Sequence, residues 1–263
     1  MPSIEHNKRL WNTDYKWSKH EEWSEPWGGV EAQWYGSILP RIQAFVPAGR
    51  ILEIAPGFGR WTQFLKDLCD DLTVVDLSPT CIEHCQERFA TSTNISYFAN
   101  DGKSLDMIPD GSIDFVYTYD SLVHAELDVL EAYLHELKKK LSPEGVGFFH
   151  HSNIGEHETY HRYQRKLPEG FRQALLSRGI LNRRHLRSFS VTAEKFAVVA
   201  EAAGLPCRSQ EMINWRQRLL TDCFSVFSHK GSHWDRPNRV VRNTFFNQET
   251  EELARRAPLY YRT

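Results

Sequence analysis

The 263-residue sequence lacks any apolar run approaching the roughly 20 residues that cross a bilayer as a helix, so no membrane span is expected. Its opening segment, MPSIEHNKRLWNTDYKW, lacks the apolar middle of a signal peptide. Cysteine is sparse: five residues, an odd number without framework spacing, argue against a disulfide scaffold and for a reducing cytoplasm. An excess of either charge is missing too. With 32 Lys and Arg against 34 Asp and Glu, the net charge of -2 offers no general attraction to nucleic acid or anionic membranes. There is no internal repeat and no low-complexity tract. What remains is an ordinary globular composition, 41% hydrophobic and 25% charged, in a chain long enough for one large domain or a domain with a cap.

Short β-branched or aromatic runs alternate with longer helical ones. GRILEIAP reads as a first strand, followed by the helix GRWTQFLKDLC. DLTVVDLS is a second strand, and PTCIEHCQERFA the next helix, with Pro79 suited to its first turn. NISYFAND and SIDFVYTYD are the third and fourth strands, the latter entered through the turn signal PDGS. In ELDVLEAYLHELKKKL, residues Leu127, Leu130, Leu134 and Leu137 recur at helical spacing, and the helix should stop at SPEG. GVGFFHHSN is the fifth strand. The alternation resumes later with the helix TAEKFAVVAEAAG and the strands CRSQEMINW and LLTDCFSVFS. Such alternation implies a parallel sheet with right-handed crossovers, whose ligands bind beyond the carboxyl ends of the strands.

Two stretches break the pattern. Residues 1–48 hold Trp11, Trp17, Trp23, Trp27 and Trp34 and a turn-like EPWGG. Residues 156–190 are polar, aromatic and basic, with Arg162, Arg165, Lys166, Arg172, Arg183, Arg184 and Arg187. Both read as caps over a pocket, against the plainer reading of aromatic packing and a solvated basic face. The basic stretch could also bind an acidic sugar or carboxylate. The expected organisation is an N-terminal cap over 1–48, a core over 49–228 carrying the 156–190 insertion, and a C-terminal tail over 229–263. Cys81, His84 and Cys85 fall within one turn of a helix without a second ligand pair, and read as buried thiols and a surface histidine.

The strand ends describe a ligand. The first ends LEIAPGFGRW, where Gly57 and Gly59 allow a tight turn and a close approach of backbone to ligand. A nicotinamide dinucleotide would want a third glycine where Thr62 stands, and Glu53 at the turn would repel its pyrophosphate. The second strand ends at Asp76, placed to accept from ribose hydroxyls. The third leads to Asp101, which could accept from an adenine amine. Acidic groups at three strand ends with a glycine turn suit an adenosine bearing a cationic amino acid, which is S-adenosylmethionine.

On EIAPGFG, with Ala55 in place of the first glycine, the sequence resembles the class I S-adenosylmethionine-dependent methyltransferases over about residues 49–228. The resemblance implies a doubly wound, Rossmann-like, mostly parallel sheet of seven strands. It implies that Glu53, Ala55 and Gly57 lie near the methionine part, Asp76 and Leu77 at the ribose, Asp101 and Gly102 at the adenine, and Tyr119 beside the cofactor. YTYDSLVHAELDVLEAYL, GVGFFHHSN, EMINW and TDCFSVFS look similar to bacterial sugar O-methyltransferases of polysaccharide or glycoside synthesis.

Methyl transfer is an in-line displacement, so the protein aligns the acceptor and removes its proton. A histidine can serve as the general base for a sugar hydroxyl. His150 and His151 fall at the fifth strand end, but strand alternation turns them to opposite faces, so one faces the acceptor and the other secures the strand end. His150 is the first choice and His124 the next. Asp120 either orients a histidine, shares a divalent ion such as Mg with the sugar, or caps the following helix, and Asp222 is a further candidate ligand. The expected function is a cytoplasmic O-methyltransferase acting on a small sugar or glycoside, with no nucleic-acid or membrane partner; a homo-oligomer is compatible. The rivals are methylation of a nitrogen or carboxylate, a dinucleotide-dependent oxidoreductase, and a non-catalytic partner subunit.

Overall fold

The computed structural model describes residues 3–15 and 22–261, so Trp17 lies outside the described residues. Its strands are β1 (Ala48–Ile54), β2 (Cys69–Asp76), β3 (Ile95–Ala99), β4 (Ile113–Thr118), β5 (Leu141–Ser152), β6 (Cys207–Ile213), β7 (Asp222–Ser228) and β8 (Arg239–Asn243). They form one sheet in the order β3-β2-β1-β4-β5-β7-β6-β8. All pairings are parallel except those of β7, which runs against both β5 and β6. The Rossmann-like α/β architecture is as expected, with eight strands rather than seven.

The additional strand is β8, in the segment expected to be a tail. Its sequence RVVRN is exposed over four of five residues and has no apolar face, so no periodicity marks it. Backbone pairing with β6, from Ser209↔Arg239 to Ile213↔Asn243, holds it at the sheet edge, and its arginines suit an edge that must not recruit further strands. The helix Phe246–Tyr260 follows.

The central strands are buried on both faces, as a parallel sheet covered by helices requires. Leu52, Ile54, Val116 and Phe149 pack with Leu130, Leu134 and Leu137 of the helix Leu127–Lys140 and with Phe196 of the helix Ala193–Ala202. Ile51, Phe115, Phe148 and Phe224 face the other way, toward Trp27, Trp34, Ile38 and Phe246. Two sequence boundaries shift. The helix after β1 covers only Thr62–Leu65, and β5 begins at Leu141, taking in SPEG ahead of the run GVGFFHHSN.

The N-terminal aromatic residues divide by position. Trp27 and Trp34 belong to the core, whereas Trp11 and Trp23 line a cavity. The chain turns just after Trp27 at Gly28, whose φ of +85° is left-handed and whose Cβ position lies 2.4 Å from the Ala257 Cβ of the C-terminal helix. Only glycine allows that approach. Gly28→Ala should therefore destabilise the protein by roughly 2–4 kcal/mol in chemical denaturation, from left-handed strain plus the clash. A loss below about 0.5 kcal/mol, the range of ordinary surface changes, would show that this helix does not anchor the N-terminal segment.

Candidate active site

The sheet order reverses between β1 and β4, and there a cavity of about 390 Å³ opens at the carboxyl ends of the strands. Cofactor sites occupy cavities of this size. Its floor is the turn after β1, with Ala55, Pro56, Gly57 and Phe58 on the lining. Ala55 holds φ +60°, the left-handed region that favours glycine. Its N–H donates to the Val75 carbonyl at 2.7 Å, and its own carbonyl accepts from Ser121 Oγ at 2.8 Å. These bonds tie the turn to β2 and to the segment after β4.

Asp76 also lines the cavity. One carboxylate oxygen accepts from the Gly57 N–H at 3.2 Å and the other from the Ser78 N–H at 2.8 Å. Each oxygen keeps a lone pair free for a hydroxyl. Burial pushes its pKa up to about 6, against the pull of those backbone donors. Leu77, Gly102 and Tyr119 reach the lining as well, joined by Tyr133, which the sequence reading did not select. A carboxylate facing the space, a turn without side chains and apolar walls from Val75, Leu77 and Val129 fit an adenosine ligand.

Two residues expected here are placed differently. Asp101 does not reach the lining; its Oδ1 accepts from the Lys103 N–H, the Ser104 N–H and the Ser104 hydroxyl, shaping a turn. Glu53 does not line the cavity either. It is buried and accepts from the Thr62 hydroxyl at 2.6 Å, and burial, reinforced by the charge of Asp76, pushes its pKa up to about 8.

The far end of the cavity joins several segments. Arg60 Nη2 pairs with Asp120 Oδ2 at 3.0 Å, and the guanidinium lies over the Trp61 ring. Asp120 holds φ +60°, and its N–H donates to His150 Nδ1 at 3.0 Å. That bond fixes the neutral ring with its proton on Nε2, which lies 3.4 Å from Asp222 Oδ2, short of a full hydrogen bond. Asp222 is held by Arg187 through both oxygens, at 2.9 and 2.7 Å. Burial opposes its charge, yet the guanidinium keeps its pKa well below the usual carboxylate range.

The paired histidines do take opposite faces. His150 packs among Tyr119, Trp215 and Phe224, whereas His151 stacks on Phe196 and contacts Ser225 Oγ at 2.8 Å. Both are fully buried, and neither lines the cavity. His124 does line it, with Nδ1 3.2 Å from the Leu186 carbonyl. His185, Arg187, Trp215 and Arg216 also line this end. The first two belong to the basic segment noted in the sequence; Trp215 and Arg216 lie beyond the strand read as CRSQEMINW or at its last residue, and carried no periodic signal.

Residues 51–145 match the family model described as a methyltransferase domain. That segment, 95 of the 263 residues, supports an activity as an S-adenosylmethionine-dependent methyltransferase. Its fold is shared with a protein of Pyrococcus horikoshii, at a TM-score of 0.53 and 18% identity over 76% of this chain and 93% of that one. DhpI, solved in complex with SAH, aligns at a TM-score of 0.52 and 18% identity over 88% and 96% of the two chains. The N-methyltransferase NodS of Bradyrhizobium japonicum gives 0.52 and 16% over 76% and 96%. No curated relative matches the chain. Among the described residues, no group of three or more His, Cys, Asp or Glu side chains is placed to hold a metal ion; Cys81 and Cys85 are buried thiols and His84 stacks on Phe58.

The two carboxylates separate in experiment. Asp76→Ala should weaken S-adenosylhomocysteine binding by roughly 1.5–3 kcal/mol in calorimetry, the strength of charge-assisted bonds to hydroxyls. Unchanged affinity would remove Asp76 from the ribose site. Glu53 titrates differently. Because its folded pKa is raised, the native state holds a proton that the unfolded chain releases, so this group's stabilisation is full below about pH 4.5 and fades as pH rises through about 8. Glu53→Gln, an isostere of the protonated acid, should gain melting temperature relative to wild type as pH rises from about 5 to 9. A pH-independent difference would show that Glu53 is ionised throughout.

Proposed function

We propose that the enzyme transfers a methyl group to a hydroxyl of a sugar or glycoside, with His124 as the general base. The observation that carries this reading is the Leu186 carbonyl beside His124 Nδ1. A carbonyl only accepts, so the proton resides on Nδ1 and the Nε2 lone pair is left to take a proton. Burial and the charge of Arg187 lower the His124 pKa to about 4, so the ring is neutral and ready at ordinary pH. His150 has its Nδ1 occupied by the Asp120 N–H and is better described as a positioning residue, while His151 faces the opposite side of the sheet. The role of base is thereby reassigned from His150 to His124.

S-adenosylmethionine, when bound, supplies the electrophilic methyl group. Asp76 and the glycine turn would hold the nucleoside part, with Leu77, Gly102 and Tyr119 around it. Asp120, fixed by Arg60 and His150, would orient the acceptor hydroxyl beside His124. Trp11, Tyr15, Trp23, Trp61 and Trp215 line the same cavity, and their electron-rich faces suit the C–H faces of a sugar ring. The segments 3–15 and 183–187 would act as caps: Asn7 Nδ2 donates to the His124 carbonyl at 3.0 Å, and Asn12 Oδ1 accepts from Ser78 Oγ at 2.9 Å.

His124→Ala should lower kcat by roughly 10²–10⁴-fold on an accepted sugar while S-adenosylhomocysteine affinity changes little. In the wild type, kcat/KM should hold as pH falls through 6.5 and decline only toward about 4, and this acidic limb should vanish in the variant. Near wild-type kcat in His124→Ala would remove the histidine base. Methylation of amines but of no hydroxyl in a panel with labelled donor would replace the oxygen acceptor with nitrogen.

A further inference from the structure

Three guanidinium groups line the acceptor end of the cavity: Arg60, Arg187 and Arg216. Two have carboxylate partners, Asp120 for Arg60 and Asp222 for Arg187. Each nitrogen of Arg187 is already engaged, since Nε and Nη2 bind Asp222 and Nη1 donates to the His185 carbonyl. Arg60 is different. It is 8% exposed, and its Nη1 has no acceptor. Arg216 has no ion-pair partner among the described residues; its backbone N–H is fixed by Asn247 Oδ1 at 2.8 Å, and it holds φ +53°. A left-handed arginine at a cavity mouth is a conformation that needs support from its surroundings, and Asn247 provides it.

The charge does not cancel. Three cations face two carboxylates, and both histidines at this end, His124 and His185, are held neutral by burial and by these arginines. A bound sulfonium adds further positive charge. Asp76, the other carboxylate on the lining, sits at the turn after β1, so a neutral acceptor would leave the excess at this end to solvent ions, and an ammonium would increase it. We propose that the acceptor carries an anionic group, a carboxylate or a phosphate monoester, bound by Arg216 with the unused donor of Arg60. Guanidinium forks match both anions through paired N–H donors. This inference rests on the reading of this end as the acceptor site, and it extends that reading from sugars to acidic sugars.

The test uses the full chain saturated with S-adenosylhomocysteine, with binding followed by calorimetry. One probe set is glucose, glucuronate and glucose 6-phosphate; a second, without a sugar, is phenol, benzoate and phenyl phosphate. Within a set that binds, a charged member should bind at least about ten-fold more tightly than its neutral parent. The better of carboxylate and phosphate identifies the anion. In Arg216→Gln, at an exposed position, that advantage should shrink to less than about three-fold, and Arg216→Lys should retain part of it. Equal binding of charged and neutral members, no binding of any charged probe, or an advantage that survives Arg216→Gln would each overturn the proposal. Binding of the charged aryl probes with no binding of any sugar would uphold the anion site and reject the sugar, which separates the two readings.

Discussion

The buried ion pair between Arg187 and Asp222 joins parts of the chain that the sheet alone would leave separate. Asp222 opens β7, and Arg187 ends the inserted basic segment. The pair draws in His150 on one side and the 185–187 backbone on the other, and through them Asp120 and His124. Removing one partner of such a pair strands a charge in the interior, at about 3–5 kcal/mol. The cost is also geometric. His185 and Leu186 hold φ values of +49° and +57°, and this left-handed corner presents the carbonyl that sets the His124 tautomer.

The two ends of the cavity are stabilised by different means. The end at the turn after β1 depends on backbone hydrogen bonds: the Gly57 and Ser78 N–H groups donate to Asp76, and the Ala55 N–H donates to the Val75 carbonyl. The end at Arg187 and Asp120 depends on charged side chains from distant segments. Backbone geometry tolerates many sequences, whereas buried ion pairs demand specific partners.

That difference explains what was legible in the sequence. β1 to β5 and β7 each carry apolar runs bounded by turns, so their existence and order follow from periodicity. The acidic strand ends give Asp76, and the glycine turn gives Ala55 and Gly57. Asp101 lies off the cavity lining: Asp-Gly at a strand end reads equally as a ligand and as a turn, and its Oδ1 is taken up by the turn. β8 was invisible because its pairing is made by backbone alone. The helix after β1 was read too long because apolar spacing does not report how tightly the preceding glycine turn winds. His150 and His151 were correctly read as facing opposite ways, but no local pattern could reveal that the Asp120 amide, 30 residues earlier, occupies one ring nitrogen. Arg216 carried no periodic signal because it lies in a loop.

The reversal of β7 has an evolutionary consequence. In a wholly parallel sheet each strand offers its carboxyl end to the ligand. Here β6 ends at Ile213 and β7 begins at Asp222, so their short connection, with Trp215 and Arg216, hangs over the acceptor end. A hairpin can change length and composition without disturbing the strands it joins. Substrate preference could therefore drift by substitutions confined to this connection and to the 183–187 corner, while the strand ends that face the nucleoside stay as they are. Changes at the mouth beside Trp215 and Arg216 and changes at the turn after β1 therefore fall on separate stretches of the gene.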